Sequence, residues 1–185
     1  VGHQIAPVLS PGRIHRGAEG AAGDIGHIRV AAGDEADAIV CGCGNVGCLE
    51  ALAGGGAMAA RLRDHGLGAA DSRAVVELAR AGEPAAVRLV RESGRLIGEV
   101  LAASGNLYNP SVTVIGGDGA QAHEQLLAGV REVVVVKPSS FGAISWVIRV
   151  ARNAATGATA GLIAFPSVRV RRDPGRCAAT MRRRA

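Results

Sequence analysis

The chain has 185 residues, 48% of them hydrophobic, enough for one domain with a substantial core. No stretch is long and apolar enough to span a membrane, and Val1-Gly2-His3-Gln4 lacks the charged-then-apolar order of a signal peptide, so a cytoplasmic protein is the default expectation. The net charge of +5 arises at one end: residues 169–185 carry seven Arg against Asp173 and contribute +6, leaving a body near −1 without the charge signature of nucleic-acid binding.

In chain order, Val8-Leu9 reads as a short strand before the turn-like Ser10-Pro11-Gly12, and Ile25 to Val30 as a second strand. Leu49 to His65 reads as a helix, weakened near its start by Gly54-Gly55-Gly56. Ser72 is expected to cap a helix through Arg80 that Ala81-Gly82 ends. Pro84 suits the first turn of a long helix whose apolar stripe is Val87, Val90, Leu96, Ile97, Val100 and Leu101. Asn109-Pro110 breaks it. Ser111 to Ile115 is a β-branched run, predicted as a buried strand ending at Gly116-Gly117. Ala120 to about Val136 is predicted helical, with Leu126, Leu127, Val130, Val133 and Val134 inward. Ile144 to Val150 reads as a strand and Ala154 to Phe165 as a helix rich in small residues. Alternating strands and helices predict an α/β layered domain over residues 1–168. Residues 169–185 are expected to be a basic, disordered tail; it could touch phosphates, but a solvated end is the simpler expectation.

Three of the four cysteines, Cys41, Cys43 and Cys48, fall within eight residues, and Cys177 stands apart in the tail. In a protein expected to be cytosolic, such a cluster reads as metal binding before disulfide. Gly42, Gly44 and Gly47 let the loop fold tightly around an ion. Thiolate and imidazole suit a closed tetrahedral zinc site, with His27 supplying the fourth ligand from a preceding segment. Such a site leaves no open coordination position, so its role is structural. The alternative is three reduced thiols in a glycine-rich turn. His3, His15, His65 and His123 have no comparable context.

Gly17-Ala18-Glu19-Gly20-Ala21-Ala22-Gly23-Asp24-Ile25-Gly26-His27, followed by Cys41-Gly42-Cys43-Gly44-Asn45-Val46-Gly47-Cys48-Leu49-Glu50, resembles the signature of the ROK family (repressor, open reading frame, kinase). The likeness continues through Asn109-Pro110-Ser111-Val112 and Val114-Ile115-Gly116-Gly117-Asp118, and covers roughly residues 12–165. It implies an actin-like, ribonuclease H-like sugar-kinase fold, largely the C-terminal lobe. It also implies that Asp24, His27 and Glu50 contact hydroxyls of a pyranose, while His27, Cys41, Cys43 and Cys48 hold Zn2+. Asp24 is one methylene shorter than the family's usual Glu. Taken alone, Asp24 also reads as a turn residue and Glu50 as an acid favoured at a helix start. Gly116 and Gly117 resemble the adenosine-side loop of the family, or serve as a plain strand-to-helix turn.

The family's kinases carry an Asp-x-Gly element and an Asn-Asp pair that no part of this chain matches, so no catalytic residue is assigned and ATP binding is doubtful. The place of the family's second phosphate loop is Gly2-His3-Gln4-Ile5-Ala6, which keeps one glycine. The wording Arg13-Ile14-His15-Arg16-Gly17 and Asp24 to Val30 resembles that of actinobacterial regulators of the family, NagC-like or xylose-repressor-like. The expectation is therefore the sugar-binding, zinc-containing domain of a carbohydrate-responsive regulator, with DNA reached only through a separate N-terminal domain. A fragment of an ATP-dependent, glucokinase-like sugar kinase is the alternative, and a truncated, non-functional remnant the third reading. No membrane partner is expected; a homo-oligomer is left open.

Overall fold

A computed structural model describes residues 8–10, 13–30, 39–110, 112–136, 147–150 and 168–169. Strands β1 (Val8–Ser10) and β2 (Arg13–His15) pair antiparallel, with Val8 opposite His15. The helices are α1 (Leu49–Ala53), α2 (Gly55–Asp64), α3 (Ser72–Arg80), α4 (Pro84–Tyr108) and α5 (His123–Val136). Strand β3 (Val112–Ile115) pairs parallel with β4 (Val147–Val150), which pairs antiparallel with β5 (Val168–Arg169). A parallel pair needs a crossover, and α5 lies between β3 and β4 in sequence, so the expected α/β order is present.

Several predicted elements differ in detail. Ile25 to Val30 is a 3-10 turn over Ile25–His27 followed by a single bridge at Arg29, with Gly23 (φ +92) bending the chain just before the segment where a strand was expected. The helix expected over Leu49 to His65 is broken at Gly54, whose extended ψ of 152° ends α1 and opens α2. The cap of α3 is Asp71, not Ser72: its side chain accepts from the amides of Arg73 (2.9 Å) and Ala74 (3.0 Å). Asp71→Ala is therefore expected to cost about 1 kcal/mol in urea unfolding, the usual value of an N-cap. A 3-10 turn at Asp118–Ala122 precedes α5. Strand β3 is not buried on both sides: Val112 is 38% and Val114 58% exposed, while Ile115 packs inward. A β-branched run reads the same whether one face is covered or two. Residues 144–146, Ala154 to Phe165 and the tail beyond Arg169 lie outside the described residues.

The core gathers around α4. Met58, Leu62, Val75, Val76, Leu89, Val90 and Leu126 join α2, α3, α4 and α5. Leu101, Leu127, Val130, Val134 and Ile148 join α4 and α5 to the sheet. The helices α4 and α5 cross at small residues. A Cβ on Gly94 would overlap the Leu126 carbonyl oxygen, and one on Gly129 the Arg91 carbonyl oxygen. Beside this crossing Arg95 and Arg91 grip Glu132 and hold its carboxyl below the usual range. Gly129→Ala gains about 1 kcal/mol of helix propensity. Overpacking costs about 1–3 kcal/mol, and here the obstacle is backbone, which cannot rotate away. Net destabilisation is expected, read as a lower urea midpoint.

Candidate metal centre

The four predicted ligands come together. The loop from Cys41 to Asn45 closes on itself: the Cys41 amide donates to the Asn45 carbonyl (2.7 Å) and the Gly44 amide to the Cys41 carbonyl (2.9 Å). Gly44 (φ +89) and Gly47 (φ +67) take left-handed conformations that a side chain would strain. The returning segment pairs with the residues after His27. Val30 donates to Gly47 (3.0 Å), Leu49 to Ile28 (2.9 Å), and Arg29 bridges Cys48. This pairing places a residue 14 positions before Cys41 beside the sulfurs.

His27 Nδ1 lies 3.6 Å from Cys41 Sγ, Cys43 Sγ lies 3.8 Å from Cys48 Sγ, and all four ligand atoms are within 4.8 Å of one another. A tetrahedron with metal–sulfur bonds of about 2.3 Å has sulfur–sulfur edges of about 3.8 Å. The donor set and spacing therefore fit a four-coordinate metal ion. Cys41 and Cys48 are buried and Cys43 is exposed. Burial, then the neighbouring sulfurs, pushes the Cys48 thiol up to about 12. The backbone amide of Asn45 is the main cause that draws Cys43 down to about 7. A bound dication offsets the cost of ionising both. Asn45, which sequence reasoning did not single out, also directs its Nδ2 at Cys43 Sγ (3.5 Å).

Of the residues expected to touch sugar, Asp24 lies beside the same histidine. Asp24 Oδ2 lies 3.9 Å from His27 Nε2, with the two side chains 43% and 30% exposed. His27 thus turns Nδ1 to the sulfurs and Nε2 towards a carboxylate. Glu50 lies in the first turn of α1, which begins directly after Cys48 and packs against the Ile25–His27 turn. Gly116 and Gly117 belong to a different junction, where Gly117 (φ +91) turns the chain from β3 into Asp118–Ala122. Asp118 there accepts from Ser72 Oγ at 3.1 Å. Arg73, Val76, Glu77, Arg80, Asp118 and Gln121 line a small adjoining cavity of about 110 Å³. Among the described residues, no helix is long and apolar enough to cross a membrane.

The profile of the ROK family matches residues 6–164. An N-acetylmannosamine kinase of Citrobacter koseri is 36% identical over 134 residues, covering 72% of this chain and 44% of that protein. An N-acetylglucosamine repressor of Escherichia coli O157:H7 is 32% identical over 138 residues, covering 70% and 33%. The crystal structure of a ROK hexokinase from Thermus thermophilus superposes with a TM-score of 0.63 at 32% identity, covering 80% of this chain and 48% of that one. The chain thus spans less than half the length of each of these relatives.

Proposed function

The chain belongs to the ROK family, with the actin-like α/β fold of its sugar kinases and regulators, and on that premise we propose that it is the zinc-containing, sugar-binding domain of a carbohydrate-responsive transcriptional regulator. The observation that carries this reading is the two-sided placement of His27. The ion held by His27, Cys41, Cys43 and Cys48 is zinc, the metal that favours closed thiolate–imidazole sites, and its role is structural. A metal on Nδ1 fixes a proton on Nε2, which then donates to a sugar hydroxyl. Asp24 and Glu50 accept from neighbouring hydroxyls. The sugar is a hexose or N-acetylhexosamine, the class named by the relatives. In the full-length cytoplasmic protein, sugar occupancy would bias the orientation of a DNA-binding domain outside this chain.

The preference for regulator over kinase rests on Gly2-His3-Gln4-Ile5-Ala6, where one glycine stands in the place of the family's phosphate loop. Calorimetry with glucose, N-acetylglucosamine and N-acetylmannosamine, run beside a coupled phosphorylation assay with ATP, tests both parts. Binding of at least one sugar without turnover is expected. Turnover above background that disappears in Glu50→Ala would establish the kinase reading instead.

A further inference from the structure

Helix α1, which carries Glu50, has five residues, too few to hold itself in water. It is fixed from outside at both ends. At its start the Leu49 amide donates to the Ile28 carbonyl, and Leu49 and Ala53 sink into a cluster with Val100 of α4. At its end Ser93 Oγ donates to the Ala53 carbonyl at 2.8 Å. Among the described residues Ser93 is the polar side chain that is buried, at 2% exposed, and it sits mid-way along the 25-residue helix α4. Gly54, the residue after Ala53, is where the helical path breaks. Its amide donates to the Glu50 carbonyl at 3.0 Å. A Cβ on Gly54 would overlap the Glu50 carbonyl oxygen first and would also lie 2.8 Å from Glu50 Oε1 and 3.1 Å from Cδ, so the carboxylate is folded back over the space this glycine leaves.

We propose that Ser93 and Gly54 are positioning residues for Glu50: the Ser93 hydroxyl fixes the Ala53–Gly54 peptide against α4, and the missing side chain at Gly54 gives the carboxylate its place. The inference rests on Glu50 being a sugar contact. It assigns to a buried serine 40 positions away from Ala53 a part in sugar affinity that acts through Glu50 and not through the metal.

A double-mutant cycle separates this from a merely structural role. Sugar affinity is measured by calorimetry with glucose, N-acetylglucosamine and N-acetylmannosamine for the parent, Ser93→Ala, Glu50→Ala and the double variant, with metal content and thermal midpoint recorded for each. Ser93→Ala removes one hydrogen bond without adding bulk, and is expected to weaken binding about five-fold with metal content unchanged. In the Glu50→Ala background it is expected to have no further effect on affinity, although its effect on the thermal midpoint persists. A Ser93→Ala loss of undiminished size in that background, or no loss in the parent, overturns this inference alone. No effect of Glu50→Ala sinks the sugar-contact reading and this inference with it.

Discussion

Cys48→Ser is expected to abolish tight metal binding and to destabilise the domain by about 3 kcal/mol or more, because ligand loss removes a binding free energy that is also folding free energy. Cys48 is the ligand at which this is most severe. It is fully buried, its backbone bridges Arg29, and α1 begins at the next residue. In the variant a buried hydroxyl takes the place of Cys48 Sγ, which neighbours sulfur and lies 3.7 Å from the His27 carbonyl, and no ion is left to draw the remaining ligands together. The damage should reach α1 and the Ile25–His27 turn first. The larger cluster of Met58, Leu62, Val75 and Val90 involves none of the four ligands. A melt in a strong chelator should show the same loss in the parent and little further loss in the variant. Cys177→Ser, a change outside the described residues and outside the ligand set, is expected to leave the midpoint unchanged. Equal midpoints for Cys48→Ser and the parent would remove the structural role assigned to the metal.

His27→Ala and Glu50→Ala should part company. His27 presents one nitrogen to the sulfurs and the other towards Asp24, so its removal is expected to cost both metal and sugar binding. Glu50 is not among the four clustered ligands, so Glu50→Ala should keep its metal while sugar binding weakens by about 1.5–3 kcal/mol, the range for hydrogen bonds to a charged group. Because the chain covers less than half of its relatives, the titrations belong in the longest protein that carries it. Sugar affinity unchanged in Glu50→Ala would reduce Glu50 to an acid at a helix start, where the dipole alone favours it.

The candidate metal centre was legible because its chemistry is written locally. Three cysteines in eight residues, spaced by glycines, specify a tight loop, and a lone histidine in a matching motif offers a fourth donor atom. What brings His27 to that loop was less legible. A strand was expected, but Gly23 bends the chain, and the pairing of residues 28–30 with 47–49 is a long-range choice. Ser93 carried no signal. A serine within an apolar helical stripe reads as a neutral surface or back-bonding residue, and its partner is set by packing. Asp71 and Ser72 are both good caps in adjacent positions. Asp71 takes the extended backbone of an N-cap, while the Ser72 hydroxyl turns to Asp118. The crossing of α4 and α5 was hidden in the same way: Gly94, Gly98 and Gly129 look like weak points in helices until the facing backbone is seen.

The central claim, that His27, Cys41, Cys43 and Cys48 form one closed structural metal site, is tested most directly by elemental analysis of the folded chain purified without added metal. One zinc per chain is expected, retained through dialysis, and absent from Cys43→Ser purified in parallel. Folded parent protein without stoichiometric metal, or parent and Cys43→Ser carrying the same amount, would contradict it.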